Sequence, residues 1–239
     1  MEIEILAICI AFILAGISTE LTGFGVATIS MALLPFFFPL SVAVPMVAMI
    51  STTSTGIVAL KTKTFGLWKH MSALIAGSAI GIPIGMYLFN AFNEEVLRLV
   101  LAIFLITYAV YGILKKRTFI RSSTPRSTVV GAVAGFFNAS LNIHGPIVGL
   151  YASSNRSFSR NETRDIIATY MFFAGLLTVT GHYLAGRITP EVGLYFLYAL
   201  PFLGIGLYIG SKIFPKLNER TVRTFIYVFV LTAGVLMVL

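Results

Sequence analysis

Apolar residues fall in ten runs that are separated by short segments rich in polar residues, glycine or proline. The runs cover 3–19, 24–39, 41–60, 69–91 and 95–114 in the first half, and 127–140, 144–155, 163–184, 190–212 and 221–239 in the second. The last three runs of each half have about the 20 residues that a helix needs to cross a bilayer. The runs lack the alternation of a membrane β-barrel. The pattern therefore predicts an all-α polytopic membrane protein.

The two halves repeat one another at a nearly constant offset along the chain. The matched pairs are Gly16 with Gly135, Gly56 with Gly175, Gly81 with Gly206, and Asn93–Arg98 with Asn218–Arg223. We interpret residues 1–114 as a first repeat, 115–126 as a cytoplasmic linker and 127–239 as a second repeat. In each repeat a pair of short helices, either a re-entrant hairpin or two short spans, precedes three full transmembrane helices. Duplicated halves around a central site are typical of membrane transporters.

Composition and charge agree with a membrane location. The chain is 57% hydrophobic and 11% charged, whereas a soluble domain carries about a quarter charged residues. The net charge of +8 raises the question of a nucleic-acid partner. The Lys and Arg residues lie between the apolar runs, where membrane topology places them, so no nucleic-acid partner is expected.

The distribution of Lys and Arg separates two topologies. If the short pair makes one crossing, the halves are parallel, and the 17 basic residues divide almost evenly between the two sides. If the pair returns or crosses twice, the halves are inverted, and all of these residues except Arg98 and Arg187 lie inside. Because cytoplasmic loops are enriched in Lys and Arg, we predict an inverted repeat in the cell membrane with both termini outside.

Two glycine-rich segments interrupt the apolar runs at matching places in the halves. Residues 19–25 form the first break and residues 138–146 the second. Such breaks free backbone groups that lipid cannot satisfy, so they persist only inside protein or beside water. The helix after each break presents free N–H groups and the positive end of its dipole, which suits a small anion. The alternative interpretation is that the glycines only allow close helix packing, as we expect for Gly77, Gly81 and Gly85.

The breaks supply most of the candidate site residues. The predicted substrate-binding residues are Thr22, Gly23, Gly25, Thr52, Asn138, Ser140, Asn142, His144 and Gly145. Glu20 and His144 are candidates for accepting a coupling proton, because ionisable groups inside a membrane are usually functional. Glu20 has a second interpretation as a carboxylate at the membrane surface. We predict no catalytic residue, no metal and no cofactor.

The order of these motifs resembles that of the TauE/SafE family of sulfite exporters. The resemblance rests on the stretches from Ala15 to Pro35 and from His144 to Tyr151, and on the glycine-spaced helices that precede Arg98 and Arg223. It covers nearly the whole chain, including the duplication. It implies the movement of small sulfur-containing anions, such as sulfite or organosulfonates, across the cytoplasmic membrane, chiefly outward.

The combined expectation is a secondary transporter, not an enzyme, which exports such an anion by alternating access with coupling to the proton gradient. Its partners would be the substrate anion and the lipid bilayer, and the choice between a monomer and a homo-oligomer stays open. The alternatives are an anion channel and a transporter of another small substrate. A metal ion is the less favoured substrate, because a cation site calls for carboxylates or thiolates.

Overall fold

The computed structural model describes residues 2–22, 25–61, 68–114, 123–154, 159–213 and 218–239. These residues form ten α-helices and one short 3-10 helix at Leu34–Phe36. The α-helices are α1 (Glu2–Thr22), α2 (Gly25–Leu33), α3 (Leu40–Lys61), α4 (Trp68–Ala91), α5 (Glu94–Leu114), α6 (Thr124–Leu141), α7 (Gly145–Ser154), α8 (Arg160–Leu184), α9 (Pro190–Ile213) and α10 (Glu219–Leu236). Six of these described helices are long and apolar enough to cross a membrane. The prediction of an all-α polytopic membrane protein is confirmed.

The helices extend further into the two breaks than the sequence predicted. We expected non-helical chain from residue 19, but α1 continues to Thr22, and α6 continues to Leu141. Residues 19–22 include no glycine or proline, and the Thr19 hydroxyl donates to the Ala15 carbonyl one turn earlier, at 2.7 Å, so nothing ends the helix there. In the second break only residues 142–144 lie between helices.

The start of α6 also differs from the predicted linker boundary. The helix begins at Thr124, inside the segment that the sequence assigned to the linker. Ser123 is the N-cap and a proline follows at the start of the helix. Proline suits the first turn because its missing N–H would have no helical partner there. Residues 115–122 of the linker lie outside the described part of the chain.

The first helix of each half packs against the fourth helix of the other half. A methyl group added to Gly206 of α9 would lie 2.9 Å from the Ile13 Cα of α1, and one added to Gly135 of α6 would lie 2.7 Å from the Ser78 Cα of α4. Gly77, Gly81 and Gly85 likewise meet the backbone of α6, in parallel order. The expected packing role of these three glycines is confirmed, because only glycine permits such close approach.

Two further pairs of helices meet in antiparallel order. In α3 and α8, Gly56 contacts Phe172 while Thr52 contacts Gly175. In α5 and α10, Gly112 contacts Tyr227 and Gly234 contacts Ile106. The two helices of each pair therefore run in opposite directions.

Polar contacts collect at one end of the helix bundle. The Tyr195 hydroxyl donates to Glu4 near the start of α1, at 3.1 Å, and its ring packs on Phe38. Arg98 pairs with Glu94 at 2.7 Å and donates to the carbonyl of Phe38 at 3.3 Å. A further bond from Arg98 reaches the Pro35 carbonyl. The start of α1 and the segment after α2 therefore lie at the same end, and α1 and α2 form a helical hairpin.

Candidate functional site

The second break is a tight, buried turn between α6 and α7. Asn142 adopts a left-handed conformation with φ of 53°, and its N–H donates to the Asn138 carbonyl at 2.9 Å. Asparagine is one of the few residues that adopt this conformation readily. The carbonyl of His144 accepts the first bond of α7, from the Val148 N–H at 3.2 Å. The N-terminus of α7 therefore begins inside the protein.

The side chain of Asn142 joins this turn to α3 in the other half. Its Nδ2 donates to the Ser51 hydroxyl at 3.3 Å, and the residue is completely buried. Ser51 in turn donates to the Ala48 carbonyl at 3.2 Å. The Asn142 Oδ1 atom has no hydrogen-bond partner among the described residues. One polar atom of the turn is therefore held ready for a ligand or a water molecule.

His144 lies beside Asn142 with both ring nitrogens unpaired in the described part of the chain. The residue is 1% exposed, and its ring packs edge-on against Tyr170 at 6.1 Å between centroids. The Tyr170 hydroxyl is hydrogen-bonded to Ser78 at 2.7 Å, which fixes the ring of Tyr170. Packing thus positions the imidazole and leaves its nitrogens available to a ligand.

Thr52 lies where α3 and α8 cross. The crossing is close because Gly175 of α8 has no side chain, and a methyl group there would clash with Thr52. Thr52 is buried, and its hydroxyl has no partner among the described groups. Thr53, the next residue, is exposed and donates to the Met49 carbonyl of its own helix at 2.9 Å. Of these two hydroxyls, only that of Thr52 faces the interior.

Asn138 and Ser140 are the two candidate residues on α6, and their surroundings differ. Asn138 donates to the Thr178 hydroxyl at 2.8 Å and to the Ala174 carbonyl at 3.2 Å, so its amino group ties α6 to α8. Its Oδ1 has no described partner. Ser140 donates to the Phe136 carbonyl at 2.8 Å, which commits its proton to its own helix.

The first break is described only in part. Gly25 is buried at the start of α2, and a methyl group there would lie 2.7 Å from the backbone of both Ser18 and Thr19. Its missing side chain is therefore required for packing of α2 on α1. Gly23 lies outside the described residues, as do the side chains of Glu20 and Thr22.

Three further buried hydroxyls lie outside the predicted set of substrate-binding residues. Thr169 is the neighbour of Tyr170 on α8, and Thr28 and Ser30 lie on α2. All three are buried, and their hydroxyls have no partner in the described structure. For the two residues on α2, a signal existed in the sequence, since hydroxyl groups inside a short helix after a glycine break are unusual in an apolar run.

The site carries no buried formal charge in the part that the structure describes. No described Lys, Arg, Asp or Glu side chain is buried. Gly145 at the start of α7 is buried, and α2 and α7 pack against each other. Helix N-termini, an imidazole and a threonine hydroxyl can together bind a small anion without a basic side chain.

One known protein family matches almost the whole length of the chain. A family model described as Sulfite exporter TauE/SafE matches residues 8–237, a range that includes both halves and both breaks. No curated protein and no solved structure matches the chain.

Proposed function

The chain belongs to the TauE/SafE family of sulfite exporters, and from that membership we propose that it is a secondary transporter of a small sulfur-containing anion. The substrate class is sulfite or an organosulfonate, moved outward across the cell membrane. Six helices in the described part of the chain are long and apolar enough to span a bilayer, and they make this a multi-pass membrane protein, as a transporter of such an anion requires.

The observation that carries the proposal is the buried turn between α6 and α7. Asn142 of this turn contacts Ser51 of α3, and His144 packs on Tyr170 of α8. Thr52, the neighbour of Ser51, contacts Gly175 of α8. Four polar atoms there have no described partner: Asn142 Oδ1, both nitrogens of His144 and Thr52 Oγ1. Buried polar atoms in proteins are nearly always paired. A hydrophilic ligand at this place would pair them.

The mechanism that we propose is alternating access between inverted halves. The antiparallel order of α3 with α8 and of α5 with α10 is what two halves of opposite orientation require. In this arrangement the site lies between the halves, and rocking one half against the other exposes it to each side in turn. We place both termini outside, in accordance with the distribution of Lys and Arg.

His144 and Glu20 are the residues that we assign to proton coupling. His144 belongs to the turn between α6 and α7. Glu20 lies near the end of α1, within the first break. Coupling would require one of them to bind a proton in one orientation of the carrier and to release it in the other.

Flux in liposomes tests the proposal. The purified full chain would be reconstituted, and sulfite movement would be measured with and without an imposed pH gradient, against sulfate and chloride. We expect saturable sulfite flux that the pH gradient accelerates. Flux that fails to saturate and ignores the pH gradient would indicate an anion channel. No flux of sulfite or of any sulfonate would refute the proposed substrate.

A further inference from the structure

Two amide oxygens at the end of α6 have no donor among the described residues. They are Asn138 Oδ1 and Asn142 Oδ1, and both residues are completely buried. Asn138 lies in the last turn of α6 and its amino group contacts α8, whereas Asn142 follows the helix in a left-handed conformation and its amino group contacts α3. A buried acceptor without a donor is destabilising, because it has lost its hydrogen bond to water. A group that can donate a hydrogen bond is therefore expected beside them.

Their hydrogen bonds fix which end of each amide is the oxygen. The Asn138 atom that lies 3.2 Å from the Ala174 carbonyl must be the amino group, because a carbonyl only accepts. The Asn142 atom next to Ser51 must also be the amino group, because Ser51 gives its own proton to Ala48. In both residues the atom left without a partner is therefore an acceptor, which an anion without a proton would repel.

The positive charge available at the site is also limited. Each helix N-terminus is equivalent to about half an elementary charge, so α2 and α7 together supply at most about one. No described Lys or Arg side chain is buried to add to it, and the buried His144 adds no charge in its neutral form. The cost of taking an ion out of water rises with the square of its charge, so a dianion loses far more hydration than a monoanion does. With His144 neutral, the site balances at most one negative charge and falls short of two.

We propose that the transported species is a monoanion that carries an acidic proton, such as hydrogensulfite, and that dianions are not transported. This proposal rests on the proposed function. The proton of the ligand donates to the amide oxygen of Asn142. The hydroxyl of Thr52, the N–H groups at the start of α7 and one nitrogen of His144 donate to the anionic oxygens. The ligand thus pairs with the acceptor of Asn142 and with these donors at once.

The test is the pH dependence of the KM for total sulfite in proteoliposomes that have equal pH on both sides. On the alkaline side of the second ionisation, the hydrogensulfite fraction falls about tenfold for each pH unit. We expect the KM for total sulfite to rise by the same factor, while the KM calculated for hydrogensulfite stays constant. Saturable sulfite flux with a KM for total sulfite that does not change would overturn this inference and leave the proposed function intact.

A titrating group of the carrier could imitate this result, and methanesulfonate separates the two causes. Methanesulfonate is a monoanion without an acidic proton, so its charge does not change over this range. We expect it to inhibit sulfite flux weakly and with an inhibition constant independent of pH, and sulfate to inhibit less still. Inhibition by methanesulfonate that weakens in parallel with the sulfite KM would assign the titration to His144 or Glu20 and would contradict the inference.

The variant Asn142→Gly tests the named acceptor. Glycine retains the left-handed conformation and removes the amide. We expect the KM for hydrogensulfite to rise at least several-fold and the inhibition constant of methanesulfonate to change less, because only hydrogensulfite donates to Asn142. An equal loss for both anions would overturn the role of Asn142. Since these two readouts come from one preparation, and the wild-type KM test does not need the variant, poor folding of the variant leaves the proposal testable.

Discussion

At the scale of single residues, the site is defined by polar atoms that the fold buries and leaves unpaired. Thr52 and Thr53 illustrate the distinction. Both are threonines in the middle of α3, yet one hydroxyl is buried without a described partner and the other is exposed and bonded to Met49. Since a free hydroxyl in a membrane helix normally bonds to its own backbone, the unpaired state of Thr52 points to an external partner.

Replacement of Thr52 by valine should weaken substrate binding without unfolding the protein. Valine keeps the shape and removes the hydroxyl. A net hydrogen bond contributes about 1 kcal/mol, so the KM of sulfite flux should rise about fivefold. The matched control is Thr53→Val, which should leave the KM within error. If both variants give the same KM, the hydroxyl of Thr52 does not contact the substrate.

At the scale of helices, close crossings depend on glycines, and polar contacts join the helix ends. Gly206 of α9 meets Ile13 of α1, whereas a methyl group on Gly204 of the same helix would meet nothing within 4 Å. At the end of α8, Arg187 lies 4.3 Å from the centre of the Phe89 ring on α4 and 3.1 Å from His182. Such contacts set the relative positions of α1, α4, α8 and α9.

The exchange Gly206→Ala should destabilise the protein. Its methyl group would meet the backbone of Ile13, which cannot move without shifting α1. Overpacking of this kind costs about 1–3 kcal/mol. The change Gly204→Ala adds the same atom in open space and should alter stability by less than about 0.5 kcal/mol. Thermal unfolding in detergent measures both, and equal melting temperatures would argue against the close α1–α9 crossing.

Removal of the Arg187 guanidinium should loosen the contact between α8 and α4. Arg187→Gln loses the ring contact with Phe89 and the bonds to His182 and Asn90. The combined loss is about 2–4 kcal/mol, and it should appear as a lower melting temperature. Arg164→Gln, at an exposed position of α8, is the control. A stability loss shared by both variants would mean that charge alone, and not this contact, is responsible.

At the scale of the whole molecule, the halves are interlocked and are not separate bodies. The first helix of each half packs on the fourth helix of the other, and α3 meets α8 at the centre. Arg98 and Arg187, the two basic residues that the predicted topology assigns to the outside, make contacts at the ends of α2, α4 and α8. These contacts agree with a common location for both, and the side of the membrane stays a prediction.

Labelling of single cysteines tests the predicted topology. In a Cys9→Ser background, Ala185→Cys follows α8 and Ser123→Cys precedes α6, both at exposed positions. A membrane-impermeant thiol reagent added to intact cells should label the first, and it should label the second only after permeabilisation. The reverse pattern would place the termini inside, and labelling of both positions from outside would exclude the inverted repeat.

Length and period of the apolar runs determined the helices, because a bilayer admits backbone only as self-satisfied helices of sufficient length. Glycine and proline positions indicated the breaks. The sequence overestimated their extent at Thr19–Thr22 and at Asn138–Leu141, since polar residues bonded to their own or a neighbouring helix do not end a helix. The repeated glycines indicated that helices cross closely, but they did not indicate which helices cross each other.

What only the tertiary structure decided is which polar atoms remain without a partner. Asn138, Ser140 and Asn142 are alternate residues of one segment and look equivalent in the sequence. In the fold, Ser140 donates to the backbone of its own helix. The amino group of Asn138 donates to α8, and the amino group of Asn142 donates to α3. The pairing of each atom depends on neighbours far away along the chain, and so does the chemistry left to a substrate.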